Sequence, residues 1–127
     1  MKRRTLIDLF AGAGGLSCGL EMAGFHPVLA NELEPAYAKT YQHNHPKTDL
    51  LVGDVRQICA SDLKKRLGLK QGEVDLLAGG PPCQGFSINA PIGSLYKAMQ
   101  VYKHASVTLC NQLKLRLCHQ KTIYVTC

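Results

Sequence analysis

Cys83 stands directly after two prolines, in the segment Gly79-Gly80-Pro81-Pro82-Cys83-Gln84-Gly85-Phe86-Ser87. Proline fixes φ and has no backbone N–H, so Pro81-Pro82 cannot continue the preceding apolar run Val74-Asp75-Leu76-Leu77-Ala78 as a strand. The pair instead makes a stiff support behind the thiol. Gly80 and Gly85 permit tight turns on either side. A cysteine can serve as a small buried hydrophobe. A thiol braced at the tip of a strand is better arranged for attack, with the thiolate as nucleophile.

Three further sets of residues could do chemistry, each at the end of an apolar run. Phe10-Ala11-Gly12-Ala13-Gly14-Gly15-Leu16 separates a first strand from a first helix. Such a loop lets a ligand approach the backbone beside a helix N-terminus. The dinucleotide pattern G-x-G-x-x-G is not met, because Ser17 occupies the third glycine position. Phe10 offers a flat apolar face, suited to an adenine or a sulfonium ligand rather than a pyrophosphate. Glu32 lies 22 residues after Phe10, where a carboxylate can accept from both hydroxyls of a ribose. It could also be a solvated loop acid. Asp54 could accept from the exocyclic amine of an adenine, although aspartate is common in turns. Together these residues describe a nucleoside-shaped slot beside Cys83 without a phosphate cradle, which points to S-adenosylmethionine.

The elements that must position these residues alternate strand and helix. Leu6–Phe10, Pro27–Ala30, Leu50–Val52 and Val74–Ala78 read as strands. Helices are expected from the glycine loop through Ala23 with Gly24 as the stop, from Pro35 to about His43, and from Asp62 to Leu67. Ser61 is the expected N-cap of the last helix and Gly68 its C-cap. Near-continuously apolar strands separated by helices predict an α/β fold with a parallel sheet covered on both faces. In such sheets ligands bind outside the carboxyl ends of the strands. Beyond residue 90 the pattern weakens. Lys97–Val107 mixes helix and strand signals, while Leu113–Leu117 and Ile123–Thr126 are strand-like.

With 127 residues and 46% hydrophobic content, the chain can bury one modest core and reads as soluble and cytoplasmic. No apolar run approaches the ~18 residues of a membrane span. Met1–Asp8 does not read as a signal peptide, because Asp8 interrupts the apolar stretch after Leu6-Ile7. Six cysteines without regular spacing are read as reduced thiols, and the absence of a C-x-x-C pair argues against a structural metal. The net charge of +6 is uneven: all nine acids lie between Asp8 and Asp75, and five Lys or Arg residues follow with no acid among them. A basic stretch can be a nucleic-acid footprint, or it can reflect an unusual origin of the tail.

Asp8-Leu9-Phe10-Ala11-Gly12-Ala13-Gly14-Gly15-Leu16 resembles the first motif of the cytosine-C5 DNA methyltransferases. Asn31-Glu32-Leu33-Glu34-Pro35-Ala36 resembles their second, Gly53-Asp54-Val55 their third, and Gly80–Ser87 their catalytic loop. The resemblance implies a Rossmann-like S-adenosylmethionine-dependent methyltransferase fold over roughly residues 5–90. Phe10, Ala11, Gly12, Gly14, Gly15 and Leu16 would then shape the methionine and ribose end of the cofactor pocket. Glu32 would take the ribose hydroxyls, Leu33 would flank the adenine, and Asp54 with Val55 would read its amine and edge. Pro82 would line the cofactor, and Cys83 would attack C6 of a cytosine flipped out of double-stranded DNA. The family also implies a restriction–modification setting with a cognate endonuclease.

The chain departs from the family pattern soon after Ser87. The Glu-Asn-Val strand end whose glutamate assists the cysteine in the family does not occur, and no acid follows Asp75. Residues 1–90 are therefore expected to form the cofactor-binding and catalytic-loop portion, with 91–127 an aberrant tail that leaves the sheet incomplete and either apolar surface or an unpaired edge exposed. Two functions follow from this. One is a DNA (cytosine-5-)-methyltransferase. The other is an inactive fragment that retains at most cofactor binding.

Overall fold

The computed structural model describes residues 3–80, 108–109, 111–113 and, for the backbone, 122–124. In chain order the elements are β1 (Arg4–Leu9), α1 (Gly15–Met22), β2 (Phe25–Glu32), α2 (Pro35–Asn44), β3 (Asp49–Val52), a 3-10 turn (Val55–Gln57), α3 (Ala60–Leu67), β4 (Leu76–Gly79) and β5 (Thr122–Tyr124). Four strands and three helices thus stand close to where the apolar runs placed them. The start of α3 differs. Cys59, not Ser61, is its N-cap, and no side chain caps the helix there. The Ser61 hydroxyl instead meets Cys59 Sγ at 2.9 Å and holds that exposed thiol below its usual range. Gly68 closes the helix in the left-handed conformation, as its position predicts.

The sheet is parallel throughout and ordered β3-β2-β1-β4-β5. Parallel crossovers are right-handed, so a chain that first winds outward through β1, β2 and β3 and then returns to β4 must place its helices on opposite faces. The core obeys this. Leu6, Leu76 and Ala78 pack against Leu16 and Leu20 of α1, while Ala30 and Leu50 meet Tyr41 of α2. Ile7, Leu9, Leu29 and Leu77 point the other way, onto Ala60 and Leu63 of α3. Alternation along β1 therefore divides Leu6 and Asp8 from Ile7 and Leu9. Ile7, Leu29 and Leu77 have no exposed surface, so truncating any of them to alanine would cost about 2–5 kcal/mol.

The segment beyond residue 90 does more than the sequence suggested. Leu109 and Leu113 are buried in the α3-side core, and β5 pairs with β4 through Leu77↔Thr122 to Gly79↔Tyr124. The β4 edge is thus covered, which corrects the expectation of an unpaired edge. Strand-like character in Ile123-Tyr124 was visible in the sequence, but nothing local said which strand it would join. Leu113 is helical rather than the first residue of a strand.

Candidate functional site

Sheet order turns the four strand ends into a line. Asp54 follows β3, Glu32 closes β2, Phe10 to Gly12 follow β1, and Gly80 follows β4. The strand order reverses between β1 and β4, the place where open α/β sheets leave a crevice. A cavity of about 540 Å³ lies along this edge, lined by Phe10, Gly12, Asn31, Glu32, Leu33, Glu34, Ala36, Tyr37, Gly53, Asp54, Val55 and Gly80.

Glu32 is the best-held group in it. One carboxylate oxygen accepts the Gly12 N–H at 2.7 Å and the other accepts the Glu34 N–H at 2.9 Å. Each carboxylate oxygen has two acceptor sites, so both retain capacity for a ligand hydroxyl. Beside it the Asn31 amide donates to Leu51 O and Gly53 O, both at 2.9 Å, and fixes the turn that leads to Asp54. Asp54 accepts the Arg56 N–H at 2.9 Å and pairs with its guanidinium. Those hydrogen bonds from Arg56 lower the Asp54 carboxyl below its ordinary range, so it stays an acceptor at neutral pH.

Phe10 has φ +57°, the one non-glycine residue with positive φ among the described residues. An aromatic side chain in this region is a strained exception that persists where the surroundings enforce it. Its half-buried ring packs on the α3-side core and lines the cavity. The strain coincides with the site.

Beneath the glycine loop lies a buried polar chain that the sequence reading did not identify. Asp8, with no exposed surface, accepts the Ser17 hydroxyl at 2.6 Å. The Tyr41 hydroxyl stands 2.8 Å from Ser17 Oγ. A hydroxyl carries one proton, so with Ser17 donating to Asp8, Tyr41 donates to Ser17. Burial pushes the Asp8 carboxyl up to about 6 and the Tyr41 hydroxyl up to about 12. The local signal was Asp8 itself, a carboxylate inside the apolar run Leu6-Ile7-Asp8-Leu9. Ser17, which spoiled the dinucleotide pattern, is its partner.

Of the expected binding residues, Phe10, Gly12, Glu32, Leu33, Asp54 and Val55 share the cavity. Ala11 packs in the core with Ala30 and Tyr41, and Leu16 packs toward Leu6, Leu76 and Ala78. Gly14 is the N-cap of α1 and Gly15 its first residue. Pro82 and Cys83 lie outside the described residues, two and three positions beyond the last residue of the cavity wall, Gly80. Tyr37, 58% exposed, and Asn31 line the cavity without having been singled out.

The sequence profile of the C-5 cytosine-specific DNA methylases matches residues 4–94. The chain belongs to that family. It is 44% identical over 92 residues to the Type II methyltransferase M1.HphI of Haemophilus parahaemolyticus, covering 72% of this chain and 24% of the relative. It is 41% identical over 88 residues to M.XorII of Xanthomonas oryzae pv. oryzae, covering 69% and 21%. The chain thus spans between a fifth and a quarter of the length of these curated relatives. Among solved structures, a prophage-encoded chain of E. coli described as a DNA modification methyltransferase superposes with a TM-score of 0.72 at 32% identity, over 88% of this chain and 30% of that one. The S. pombe Dnmt2 methyltransferase shares the fold, with a TM-score of 0.56 at 21% identity over 81% of this chain and 29% of that one.

Proposed function

We propose that the sheet-edge cavity of this chain binds S-adenosylmethionine, and that Cys83 is the nucleophile of a DNA (cytosine-5-)-methyltransferase of restriction–modification type. Glu32 carries the reading: a carboxylate oriented by two backbone N–H groups, at the centre of a slot, suits a ribose diol. The wall residues fit this cofactor better than a phosphorylated one. Glu32, Glu34 and Asp54 face the cavity, and no Lys or Arg is among its described lining residues. A pyrophosphate there would meet three acids, whereas a sulfonium cation would be attracted.

In this reading Leu33 flanks the adenine, Asp54 accepts from its amine, and Val55 borders its edge. Phe10, Gly12 and the loop to Leu16 shape the remainder, and Pro82 separates the cofactor from the target base. When bound, S-adenosylmethionine supplies an electrophilic methyl group. The Cys83 thiolate adds to C6 of a cytosine flipped from double-stranded DNA, which moves electron density to C5. After C5 is methylated, loss of its proton and departure of the thiolate restore the aromatic ring. Restriction–modification members of the family act beside a cognate endonuclease in the cytoplasm, and the same partner and location are proposed here.

A second reading is favoured by one observation: no acid follows Asp75, so the chain lacks the glutamate that the family uses to assist the cysteine. On that reading the chain binds cofactor and transfers nothing. Incubating the full chain with double-stranded DNA and methyl-labelled S-adenosylmethionine separates the two. Label in cytosine C5, abolished by Cys83→Ser, supports the enzyme. Cofactor binding with unlabelled DNA supports the second reading. Absence of both contradicts the two together.

A further inference from the structure

Asn44 and His45, at the end of α2, have no part in the site described above, yet their side chains reach the glycine loop. We propose that Asn44 and His45 are positioning residues that hold the loop in the shape needed by the amino-acid end of the cofactor, an inference that rests on the S-adenosylmethionine reading.

The contacts fall on consecutive carbonyls. Asn44 Nδ2 donates to Ala13 O at 2.9 Å, and His45 Nε2 donates to Gly14 O at 3.0 Å. The other ring nitrogen, Nδ1, lies 3.1 Å from a carboxylate oxygen of Glu21 on α1. The His45 backbone N–H bonds Tyr41 O at 2.8 Å, so the imidazole is anchored to the last turn of α2. Its ring lies 4.7 Å from that of Tyr41. A Cβ built on Gly14 would stand 2.5 Å from His45 Nε2 and Cδ2, so the ring packs directly on the loop backbone.

Carbonyl and following N–H point to opposite sides of a trans peptide. Gly14 O also accepts the Cys18 N–H at 2.9 Å, the first hydrogen bond of α1, so His45 is its second donor and reinforces a peptide whose Gly15 N–H points off the N-terminal end of the helix. Drawing Ala13 O toward Asn44 turns the Gly14 N–H inward, where it bonds Ala11 O at 3.0 Å and closes the turn. Two side chains from the end of α2 thus brace the peptide planes of a loop thirty-one residues earlier, beside the loop's own backbone bonds. The nucleoside contacts proposed for Leu33 and Asp54 follow β2 and β3 and touch neither carbonyl, and Glu32 meets the loop at the Gly12 N–H rather than at Ala13 O or Gly14 O.

The test is calorimetric titration of the full chain and its variants with S-adenosylhomocysteine and with methylthioadenosine, which lacks the amino-acid end. Asn44 is exposed, so Asn44→Ala should fold, with a melting temperature lowered by no more than a few degrees. Its affinity for S-adenosylhomocysteine should fall about fivefold or more, the worth of one hydrogen bond, while methylthioadenosine binding stays within about twofold. His45→Ala should show a larger loss of the same kind, and His45→Gln, which keeps a donor, should recover part of it. Unchanged S-adenosylhomocysteine affinity in Asn44→Ala, or equal losses for both ligands, would overturn the positioning role while leaving the cofactor reading intact. Failure of the wild-type chain to bind either ligand would overturn both.

Discussion

Glu32 at the end of β2 takes the backbone N–H of Gly12 at 2.7 Å, so the second motif and the glycine loop after β1 form one hydrogen-bonded unit. Its second oxygen is occupied by the Glu34 N–H. Glu32→Gln keeps the shape but offers one acceptor oxygen where two are used, and turns an NH2 toward a backbone donor. Binding of S-adenosylhomocysteine should fall at least about tenfold. Stability should drop by about 1–3 kcal/mol, as expected when a buried donor loses its partner. Calorimetric titration and urea unfolding of the same samples check both figures.

Asp8 gives the chain a pH dependence of defined sign. Its carboxyl is raised from an ordinary 3.8 to about 6 by burial, so the folded state holds the proton more tightly than the unfolded one. The stabilisation is full below pH 4 and is lost as pH rises through 6. A shift of this size corresponds to about 3 kcal/mol. Asp8→Asn cannot titrate, so the stability difference between variant and wild type should swing toward the variant by about that amount between pH 4 and 7. Urea unfolding at several pH values measures the swing, and a flat difference would show that Asp8 is not buried in this way.

Gly14 is constrained twice, by φ +98° and by the His45 ring that a Cβ would strike. Gly14→Ala should destabilise the chain by about 2–4 kcal/mol. His45→Ala removes the ring but not the backbone strain. The double variant should therefore be less destabilised than the sum of the singles, with a coupling of about 1 kcal/mol or more. Strict additivity in thermal or urea unfolding would contradict the contact.

Asp54 separates stability from binding. Its ion pair with Arg56 is on the surface, where such pairs contribute about 1 kcal/mol or less. Asp54→Ala should leave the melting temperature nearly unchanged and weaken S-adenosylhomocysteine binding about tenfold through the lost adenine contact. Equal affinity would remove Asp54 from the site.

Local pattern carried the strands and the line of residues at their ends, because both depend on short-range facts. Apolar runs of three to five residues mark the parallel strands, and Glu32 and Asp54 each stand two residues past the end of one. Ser61 misled because a serine ahead of a helical stretch is a good cap, whereas the chain starts α3 one residue earlier than Ser61 and uses that hydroxyl on Cys59. Long-range partners left a weaker trace. Asp8 was visibly out of place in an apolar strand, but its link to Tyr41 through Ser17 spans three elements. The pairing of β5 with β4 was equally hidden, because strand propensity does not name a neighbour.

The edge formed by β3, β2, β1 and β4 is proposed as an S-adenosylmethionine site centred on Glu32. Equilibrium dialysis of the full chain against labelled S-adenosylmethionine, with Glu32→Ala in parallel, puts that site to the test. The wild-type chain should bind one equivalent, and the variant, folded by circular dichroism, should bind none at the same concentration. A folded wild-type chain that retains no label, or a variant that retains as much as wild type, would contradict the account.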